Sequence, residues 1–547
     1  MNRAFAVVLA VIVGCGPAVV APRPDPPGPV RPKIVVLLVI DQLPTWAFER
    51  DRSLYRGGLA RLLRDGAYAN GELAHANTFT ASGHASIGTG APPSVHGIVG
   101  NQWYRRTEGV TRPAEHDADA PTFSVLEPGK VIDDFGSSHM LRVEGIVDVL
   151  RRESPKARSI TVALKTRAAT LMAGKAPEMA IWFEVLAGGM TTSKAYADAP
   201  PAWLLDLARA KPASRFVGQT WTPLDAELLA RHTKVPDDGP GEGDVHGLGT
   251  KFPHPIGDLE ALAPTPFGDQ IVLDGALAAI DAMHLGEDEI PDLLAVSFNS
   301  HDYCGHTWGP DSWEILDLTL RLDSGLGELF AALDRKVGKT GWAIVMTSDH
   351  GATPLIERGG TEGARRITPK EIEVAVDKAI STLLARPGPW VATVTSNQLY
   401  FTPKLSELGE DERRSSELMA VGVIGRIQGI QTVFRAQDVD GGCAKRTGLE
   451  RAVCFANVPG ESGDLFIVPR RGWVISEYAT GTQHDGPNDD NRQVPIIVMA
   501  PGIAPQISTG SQLQVAPTVA ALLGISPPAA ATEKPLFVQP ARSPARP

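Results

Sequence analysis

The chain has 547 residues, which is longer than one minimal domain and leaves room for one large α/β enzyme with insertions or for two domains. Its hydrophobic fraction of 43% and charged fraction of 21% are typical of globular proteins. The formal net charge of -11, without a long basic run, argues against binding to nucleic acid duplexes, and an anionic substrate would need local cations or metals.

The N-terminus has the pattern of a bacterial export signal. The apolar stretch Ala4–Val13 is too short to cross a bilayer as a mature helix. Ile12-Val13-Gly14-Cys15 resembles a lipobox, so we predict a signal peptide over residues 1–15 and a lipid anchor at Cys15. The alternative is ordinary cleavage after Ala21. Residues 16–32 are proline-rich and predict a linker. The protein is thus predicted to reach the periplasm, free or as a membrane-anchored lipoprotein.

From residue 33 onward, apolar runs alternate with amphipathic stretches, which predicts an α/β fold with a largely parallel sheet. The predicted strands are Ile34–Ile40, Ser159–Leu164, Leu293–Phe298, Trp342–Met346, Trp390–Phe401 and Val494–Met499. The predicted helices are Ser53–Asp65, Ile146–Arg151, Ile271–Met283, Trp313–Leu333, Pro369–Arg386 and Val515–Leu523. We expect a catalytic domain over residues 33–535, interrupted by an α+β subdomain at 369–473, and a tail at 536–547.

Three cysteines follow the lipobox. Cys443 and Cys454 flank a short polar loop and could form a disulfide in an exported protein. Cys304 lies within a motif of candidate metal ligands, but a small buried hydrophobic side chain is the favoured interpretation.

Acidic and histidine side chains follow three of the apolar runs. In an open α/β sheet, ligands bind outside the carboxyl ends of the strands, so side chains at these ends are expected to meet. Carboxylates and neutral imidazoles suit zinc or a similar divalent ion. A glycine-bounded loop near residue 484 supplies one more histidine. The candidate ligands, enough for two ions, are Asp41, Asp302, His306, Asp349, His350 and His484.

Each candidate has a simpler interpretation when taken alone. Asp41 could cap the next helix, and on its own that is favoured. Asp302 and His306 are four residues apart, a spacing that is common by chance. His484 alone would be an ordinary loop histidine. The metal hypothesis depends on all of them following strand ends.

A hydroxyl-rich segment supplies candidate nucleophiles. In a site with two metals, one ion can activate a hydroxyl and the other can stabilise a leaving oxygen. Thr80 is the favoured hydroxyl, and spacing alone does not exclude Thr78 or Ser82.

Three further side chains could bind phosphoryl oxygens. Lys165 offers a point charge and Arg167 a bidentate fork after a predicted strand. Asn101 could donate an amide hydrogen bond. Without further information, the lysine and arginine would be solvated loop residues, and the asparagine would belong to a turn.

As a set, several short motifs resemble the alkaline phosphatase superfamily, in its phosphodiesterase/nucleotide pyrophosphatase branch, and most of all the phosphomonoesterases of the PafA type. The matching motifs are Val39-Ile40-Asp41, Thr80-Ala81-Ser82-Gly83-His84, Gly100-Asn101-Gln102-Trp103, Lys165-Thr166-Arg167, Asp302-Tyr303-Cys304-Gly305-His306, Ser348-Asp349-His350-Gly351 and Gly481-Thr482-Gln483-His484. These motifs follow one another in the same order as in the family, and together they span nearly the whole mature chain. The resemblance implies a three-layer fold around a central, mostly parallel sheet.

The resemblance also implies roles for these residues. Thr80 would be the nucleophile and would contact a metal. Two divalent ions, expected to be zinc, would be bound by two ligand groups. The first group is Asp41, Asp349 and His350, and the second is Asp302, His306 and His484. The residues implied to contact phosphoryl oxygens are Asn101, Lys165 and Arg167.

The function implied is metal-dependent hydrolysis of small phosphate monoesters through a phosphothreonine. One alternative is a phosphodiesterase or nucleotide pyrophosphatase on the same scaffold. Another is a catalytically silent lipoprotein that binds phosphorylated ligands. A sulfatase is disfavoured, because the chain has no Cys-x-Pro-x-Arg motif. Three departures from the family pattern are Ala81-Ser82, Cys304 and Asp485.

Overall fold

The first strand, Ile34–Ile40, sends alternate side chains into two separate cores. Val36 and Leu38 pack on one face of the sheet, and Val35 and Leu37 pack on the other. A strand that is apolar at every position is expected where helices cover both faces of a sheet. The computed structural model describes residues 31–538, so the predicted signal peptide, the lipobox and nearly all of the linker and tail lie outside the described residues.

This strand lies in the middle of a nine-stranded sheet. Five strand pairs are parallel and three are antiparallel, so the predicted largely parallel α/β sheet is confirmed. In spatial order, the strands are Ile507–Ser511, Ala67–Glu72, Gln493–Met499, Trp342–Thr347, Ile34–Ile40, Asp292–Phe298, Ser159–Ala163, Met179–Glu184 and Gly189–Thr191.

Helices cover both faces. On the face of Val36, the helices are Thr45–Asp51, Gly58–Asp65, Pro266–Ala282, Ser300–Trp308 and Trp313–Val337. On the face of Val35, they are Thr80–Thr89, Ile146–Glu153 and Val515–Leu523. The other α-helices outside residues 369–473 are Pro93–His96, Thr166–Leu171, Ala202–Ala210, Ala226–Thr233 and Asp489–Arg492. Two-stranded sheets pair Gln102–Arg105 with Val110–Pro113, Pro121–Phe123 with Val131–Phe135, and Thr220–Trp221 with His254–Pro255.

Residues 369–473, predicted to be an inserted subdomain, form a second sheet with its own core. Its strands, in spatial order, are Val391–Thr395, Gln398–Phe401, Leu465–Pro469 and Ile430–Arg435. Its helices are Pro369–Leu384, Pro403–Ser406, Glu410–Ile424, Ala436–Val439 and Gly448–Ala456. The paired strands Arg366–Ile367 and Val474–Ile475 bring the two ends of this segment together. The exact domain boundaries stay a prediction.

Two predicted elements were wrong in detail. The predicted strand Trp390–Phe401 is a hairpin, because Ser396 and Asn397 have φ angles of 49° and 55° that reverse the chain. The predicted helix Ser53–Asp65 begins only at Gly58. The carboxylate of Asp323, far away in sequence, accepts the backbone N–H groups just before and within its first turn. A tertiary contact therefore sets where this helix starts.

Cys443 and Cys454 form a disulfide, and Cys304 is a buried free thiol within the main core. The bridge ties Cys443 to the helix Gly448–Ala456, because Cys454 lies within that helix. The carbonyls of this helix accept hydrogen bonds from the Ala76 N–H and the Asn77 Nδ2, at 3.0 Å each. The disulfide therefore braces the segment that leads to Thr80.

We expect the double variant Cys443→Ser, Cys454→Ser to lose about 2–3 kcal/mol of unfolding free energy, because the bridge no longer restricts the unfolded chain. Urea unfolding of the oxidised proteins measures this loss. Reduced wild-type protein should have the same unfolding free energy as the variant. In the control Cys304→Ala, reductant should lower the unfolding free energy by as much as it does in the wild type. An unchanged unfolding midpoint in the double variant would contradict the bracing role.

Candidate active site

Three parallel strands bring their carboxyl ends to one edge of the sheet. Ile40 pairs with Phe298, and Val39 pairs with Thr347, so the chain leaves all three strands at the same level. Asp41 follows the first strand directly. Asp302 and His306 lie on the helix Ser300–Trp308 after the second strand, and Asp349 and His350 follow the third. The register of the sheet thus gathers side chains that are up to 309 positions apart in this chain of 547.

The three candidate histidine ligands are oriented in the same way. His306 Nδ1 lies 2.7 Å from the Thr482 carbonyl, and His350 Nδ1 lies 2.9 Å from the Gly351 carbonyl. His484 Nδ1 bonds to the carbonyl of Thr78. Because a carbonyl can only accept, each Nδ1 donates, and each neutral ring keeps its Nε2 lone pair for another partner. Metal-binding histidines are held in this tautomer by the same kind of bond.

One group of candidate ligands contains Asp302, His306 and His484. The Asp302 Oδ1 lies 3.3 Å from His306 Nε2 and 3.6 Å from His484 Nε2. Two ligands of a tetrahedral zinc ion, each about 2.0–2.1 Å from the metal, are about 3.3–3.4 Å apart. The spacing of these side chains therefore fits a divalent ion between them.

A second group contains Asp41, Asp302 and His350. His350 Nε2 lies 3.5 Å from Asp41 Oδ1 and 3.4 Å from Asp349 Oδ2. All three of these atoms are buried and have no hydrogen-bond partner within the described residues. A divalent cation would satisfy them, so this donor set also fits a metal. The structure places Asp302 near both groups, whereas the sequence assigned it to only one.

Electrostatics at this edge also favours a bound cation. Burial, together with the neighbouring carboxylates of Asp302 and Asp349, raises the pKa of Asp41 well above its usual range. Burial opposes ionisation of Asp302, but the Lys165 ammonium and the His306 ring hold its pKa well below its usual range. Burial lowers the pKa of the His484 ring, which keeps it neutral and able to bind a metal.

The Lys165 ammonium lies inside the acidic cluster. It bonds to Asp302, donates to Asp41 Oδ2 at 2.9 Å, and lies 3.4 Å from Thr80 Oγ1. Its charge also lies 4.8 Å from the centre of the Tyr303 ring. The contact with phosphoryl oxygens that the resemblance implies for Lys165 stays a prediction. Buried carboxylates attract the nearest cation, so the lysine is held beside the predicted nucleophile and the candidate ligands.

The structure separates the three hydroxyls that the sequence left as competitors. Thr78 Oγ1 donates to the His484 carbonyl at 2.5 Å, and Ser82 Oγ donates to the Asn77 carbonyl at 2.8 Å. Both hydroxyls are thereby committed to buried backbone oxygens. Thr80 begins the helix Thr80–Thr89, and its Oγ1 faces the Lys165 ammonium and the acidic cluster. Of the three, Thr80 has the hydroxyl that lies beside the Lys165 ammonium, 3.4 Å away.

Asn101 and Arg167 line a cleft beside this cluster. The Asn101 Oδ1 accepts the N–H of Ala81 at 2.9 Å, which leaves its NH2 group as the donor for a ligand. Arg167 Nε donates to Glu115 Oε1 at 3.3 Å. The cleft has a volume of about 340 Å³ and also includes His306 and His484 in its wall. This size suits a small phosphorylated molecule.

Sequence reasoning missed several residues that support the cluster. Glu115 is buried and orients Arg167, and Asn299 Nδ2 donates to Asp41 Oδ2 at 2.8 Å. Gln42 Nε2 donates to Asp302 Oδ1 at 2.8 Å. Gln42 directly follows a predicted ligand, and Asn299 directly follows a predicted strand, so their positions were a usable signal. Glu115 lies in a loop with no such signal.

Comparisons with known proteins agree with this geometry. The family model "Type I phosphodiesterase / nucleotide pyrophosphatase" matches residues 35–493. Alkaline phosphatase PafA of Elizabethkingia meningoseptica is 31% identical over 526 residues, covering 92% of this chain and 94% of that one. Alkaline phosphatase PhoV of Synechococcus elongatus is 29% identical and covers 94% of both chains.

A solved structure extends the likeness to three dimensions. The crystal structure of wild-type PafA superposes with a TM-score of 0.84 at 29% identity and covers 93% of this chain and 99% of that chain. The predicted alkaline phosphatase-like fold is therefore confirmed. A solved PafA variant carries substitutions of one threonine, one asparagine, one lysine and one arginine, and its TM-score is 0.82 at 28% identity. From its sequence and its fold, this chain belongs to the type I phosphodiesterase / nucleotide pyrophosphatase family.

Proposed function

We propose that this protein is a metal-dependent alkaline phosphatase that hydrolyses phosphate monoesters through a phosphothreonine at Thr80. The observation that carries the proposal is the position of the Thr80 hydroxyl. It lies 3.4 Å from the Lys165 ammonium, which bonds to two of the buried carboxylates, while the hydroxyls of Thr78 and Ser82 are committed to backbone carbonyls. The relatives PafA, PhoV and PhoK are all named alkaline phosphatases, which supports the same reaction.

Two divalent ions, zinc by preference, would be held by seven side chains. These are Asp41, Thr80, Asp302, His306, Asp349, His350 and His484. When bound, the metals would supply Lewis acidity, which lowers the pKa of a hydroxyl and neutralises the charge on phosphoryl and leaving oxygens. Three histidines with Nε2 lone pairs and three buried carboxylates are the donors such ions prefer.

The chain's own groups would act in two steps. Thr80 Oγ forms a bond to phosphorus, and the bond from phosphorus to the alcohol oxygen breaks. The proton lost by Thr80 is balanced by the proton that the departing alkoxide takes up. Water then attacks phosphorus and releases phosphate, which restores the Thr80 hydroxyl. Throughout, Asn101, Lys165 and Arg167 would bind the remaining phosphoryl oxygens, with Glu115 orienting the guanidinium.

The cations beside the nucleophile favour monoesters over diesters. A monoester carries one more negative charge than a diester, and nearby positive groups stabilise that charge in the transition state. Lys165 is buried next to Thr80, and Arg167 lines the cleft. A phosphodiesterase on this scaffold is the competing function. The two functions are distinguished by how strongly the rates on monoesters and on diesters depend on Lys165 and Arg167.

We expect Lys165→Ala combined with Arg167→Ala to lower kcat/KM by about 10³-fold on a monoester and by about tenfold on a diester with the same leaving group. Steady-state kinetics on 4-nitrophenyl phosphate and its methyl diester measures the difference. Metal content is measured alongside, because Lys165 also bonds to two candidate ligands.

A matched control removes two positive charges elsewhere. Lys339 and Lys378 are exposed and lie outside the cleft, so Lys339→Ala with Lys378→Ala should change neither rate. Equal losses on both esters in the active-site variant, at unchanged metal content, would count against the monoesterase assignment. A wild-type preference for the diester would favour the competing function.

We also propose that the chain is exported and carries a lipid on Cys15. The disulfide between Cys443 and Cys454 supports an oxidising compartment. Within residues 31–538, the structure contains no helix with the length and apolar character needed to cross a membrane. Bacteria expressing the protein should incorporate labelled fatty acid into the wild-type chain but not into Cys15→Ala. Equal labelling of the two chains would contradict the anchor.

A further inference from the structure

Gln42 stands between the two predicted groups of metal ligands. Its main-chain N–H donates to Asp349 Oδ1 at 3.1 Å, and its side-chain Nε2 donates to Asp302 Oδ1 at 2.8 Å. The residue is fully buried, so both bonds lie in a low-dielectric interior, where they are strong. One residue thus contacts Asp349, which was predicted for the first ion, and Asp302, which was predicted for the second.

Both bonds leave the carboxylates able to bind a metal. On Asp349, Oδ1 also accepts the His350 N–H at 3.0 Å, whereas Oδ2 has no hydrogen-bond partner among the described residues and lies 3.4 Å from His350 Nε2. On Asp302, the oxygen that accepts the amide has a second lone pair for an ion. Hydrogen bonds from such outer residues fix the orientation of metal ligands and raise metal affinity.

The backbone of Gln42 is strained, which indicates a functional constraint. Its φ angle is 62°, in the left-handed region that residues other than glycine seldom adopt. Such conformations persist only where the surrounding structure holds them, and they cluster at functional sites. The strained residue lies between the strand Ile34–Ile40 and the helix Thr45–Asp51, where its main chain meets one carboxylate and its side chain meets the other.

Gly305, on the helix that carries Asp302 and His306, leaves room for this amide. A Cβ built on Gly305 would overlap Gln42 Oε1 and lie 3.2 Å from Gln42 Cδ. The next atom outside its own helix, Ile315 Cδ1, would be 3.8 Å away, which is an ordinary contact. An alanine at position 305 would therefore displace the amide from Asp302 and disturb little else.

We propose that Gln42 is a positioning residue that couples the two metal sites, with Gly305 supplying the space for its amide. The main-chain N–H orients Asp349 for one ion, and the side chain orients Asp302, which lies near both groups of candidate ligands. This inference rests on the proposed metal-dependent function, but its test is metal binding and not turnover.

Zinc binding to the full-length protein, first stripped of metal, tests the proposal. Titration against a chelator of known affinity gives the dissociation constants, and elemental analysis gives the number of ions bound. Gln42→Gly removes the side-chain amide, keeps the main-chain N–H and relieves the strain. Gly305→Ala keeps Gln42 but displaces its amide. The controls are Lys234→Gly, at another left-handed residue with a φ of 60°, and Gly327→Ala, whose Cβ would meet no atom outside its own helix closer than 3.7 Å.

We expect Gln42→Gly and Gly305→Ala each to weaken zinc affinity about tenfold, while circular dichroism shows that the metal-free variants stay folded. In the double variant, Gly305→Ala should cause no further loss, because no amide remains for the alanine to displace. Both control variants should bind zinc as the wild type does.

Unchanged zinc affinity in Gln42→Gly would overturn the inference, and so would losses that simply add in the double variant. If metal-free Gln42→Gly failed to fold, Gly305→Ala would decide by the same criterion, since unchanged affinity in that variant also overturns the inference. A wild-type protein that binds zinc but hydrolyses no phosphate monoester would contradict the proposed function and leave the role of Gln42 standing.

Discussion

The variant Thr80→Ala is expected to lower kcat on phosphate monoesters by about 10⁴-fold or more, because it removes the oxygen that would carry the phosphoryl group. Stopped assays with a sensitive monoester substrate measure the residual rate. The fold should persist, since alanine is a good helix former and Thr80 begins a helix. Acid-quenched wild-type enzyme should show phosphate on the peptide that contains Thr80, and the variant should not.

Ser82→Ala is the matched control for this experiment. Its hydroxyl is buried two residues away and bonds to the Asn77 carbonyl. Losing that bond should cost about 1 kcal/mol of unfolding free energy but leave the rate near that of the wild type. If Thr80→Ala kept near-normal turnover, or if the phosphate were found on Ser82, the assignment of the nucleophile would be wrong.

Removal of divalent metal is expected to abolish turnover, and zinc should restore it. The physical reason is that Asp41, Asp302 and Asp349 are buried close together and repel one another without a cation. An ion that binds only the folded chain also stabilises it, by about 4 kcal/mol when its free concentration is a thousand times its Kd. Chelated protein should therefore unfold at a lower temperature, and differential scanning calorimetry with elemental analysis measures both effects.

Asp302 is the ligand whose loss should matter most, because it lies near both groups of candidate ligands. We expect Asp302→Asn to at least halve the metal content and to lower kcat/KM by about 10³-fold. The control is Asp323→Asn, which removes another buried acid that accepts backbone N–H groups at the start of a helix. It should lose stability without losing metal. Normal metal content in Asp302→Asn would refute its role as a shared ligand.

Most of the central sheet and the general position of the site could be predicted from local patterns. An uninterrupted apolar run such as Ile34–Ile40 specifies a strand that is buried on both faces, whichever partners it finds. Because parallel strands end at a common edge, the acids and histidines after such runs were expected to meet there. The structure does bring together Asp41, Asp302 and His350.

Other features had no local signal. Arg167 meets Glu115 across 52 positions, and Glu115 lies in a loop. The hairpin at Ser396 was predicted as one strand, because its two arms are both apolar and the turn contains no glycine. These contacts depend on how separate elements pack, and a single sequence does not encode that in a nearby pattern.

The sequence by itself determined the kinds of chemical groups available and the strands that carry them, since apolar periodicity acts over only a few residues. Tertiary structure alone decided that Thr78 and Ser82 are committed to carbonyls, that the histidines present Nε2, and that Lys165 lies among the acids. Each of these outcomes depends on the position of a backbone carbonyl or a carboxylate from a distant segment. Hydrogen bonds and ion pairs act over a few ångströms in space, whatever the separation along the chain.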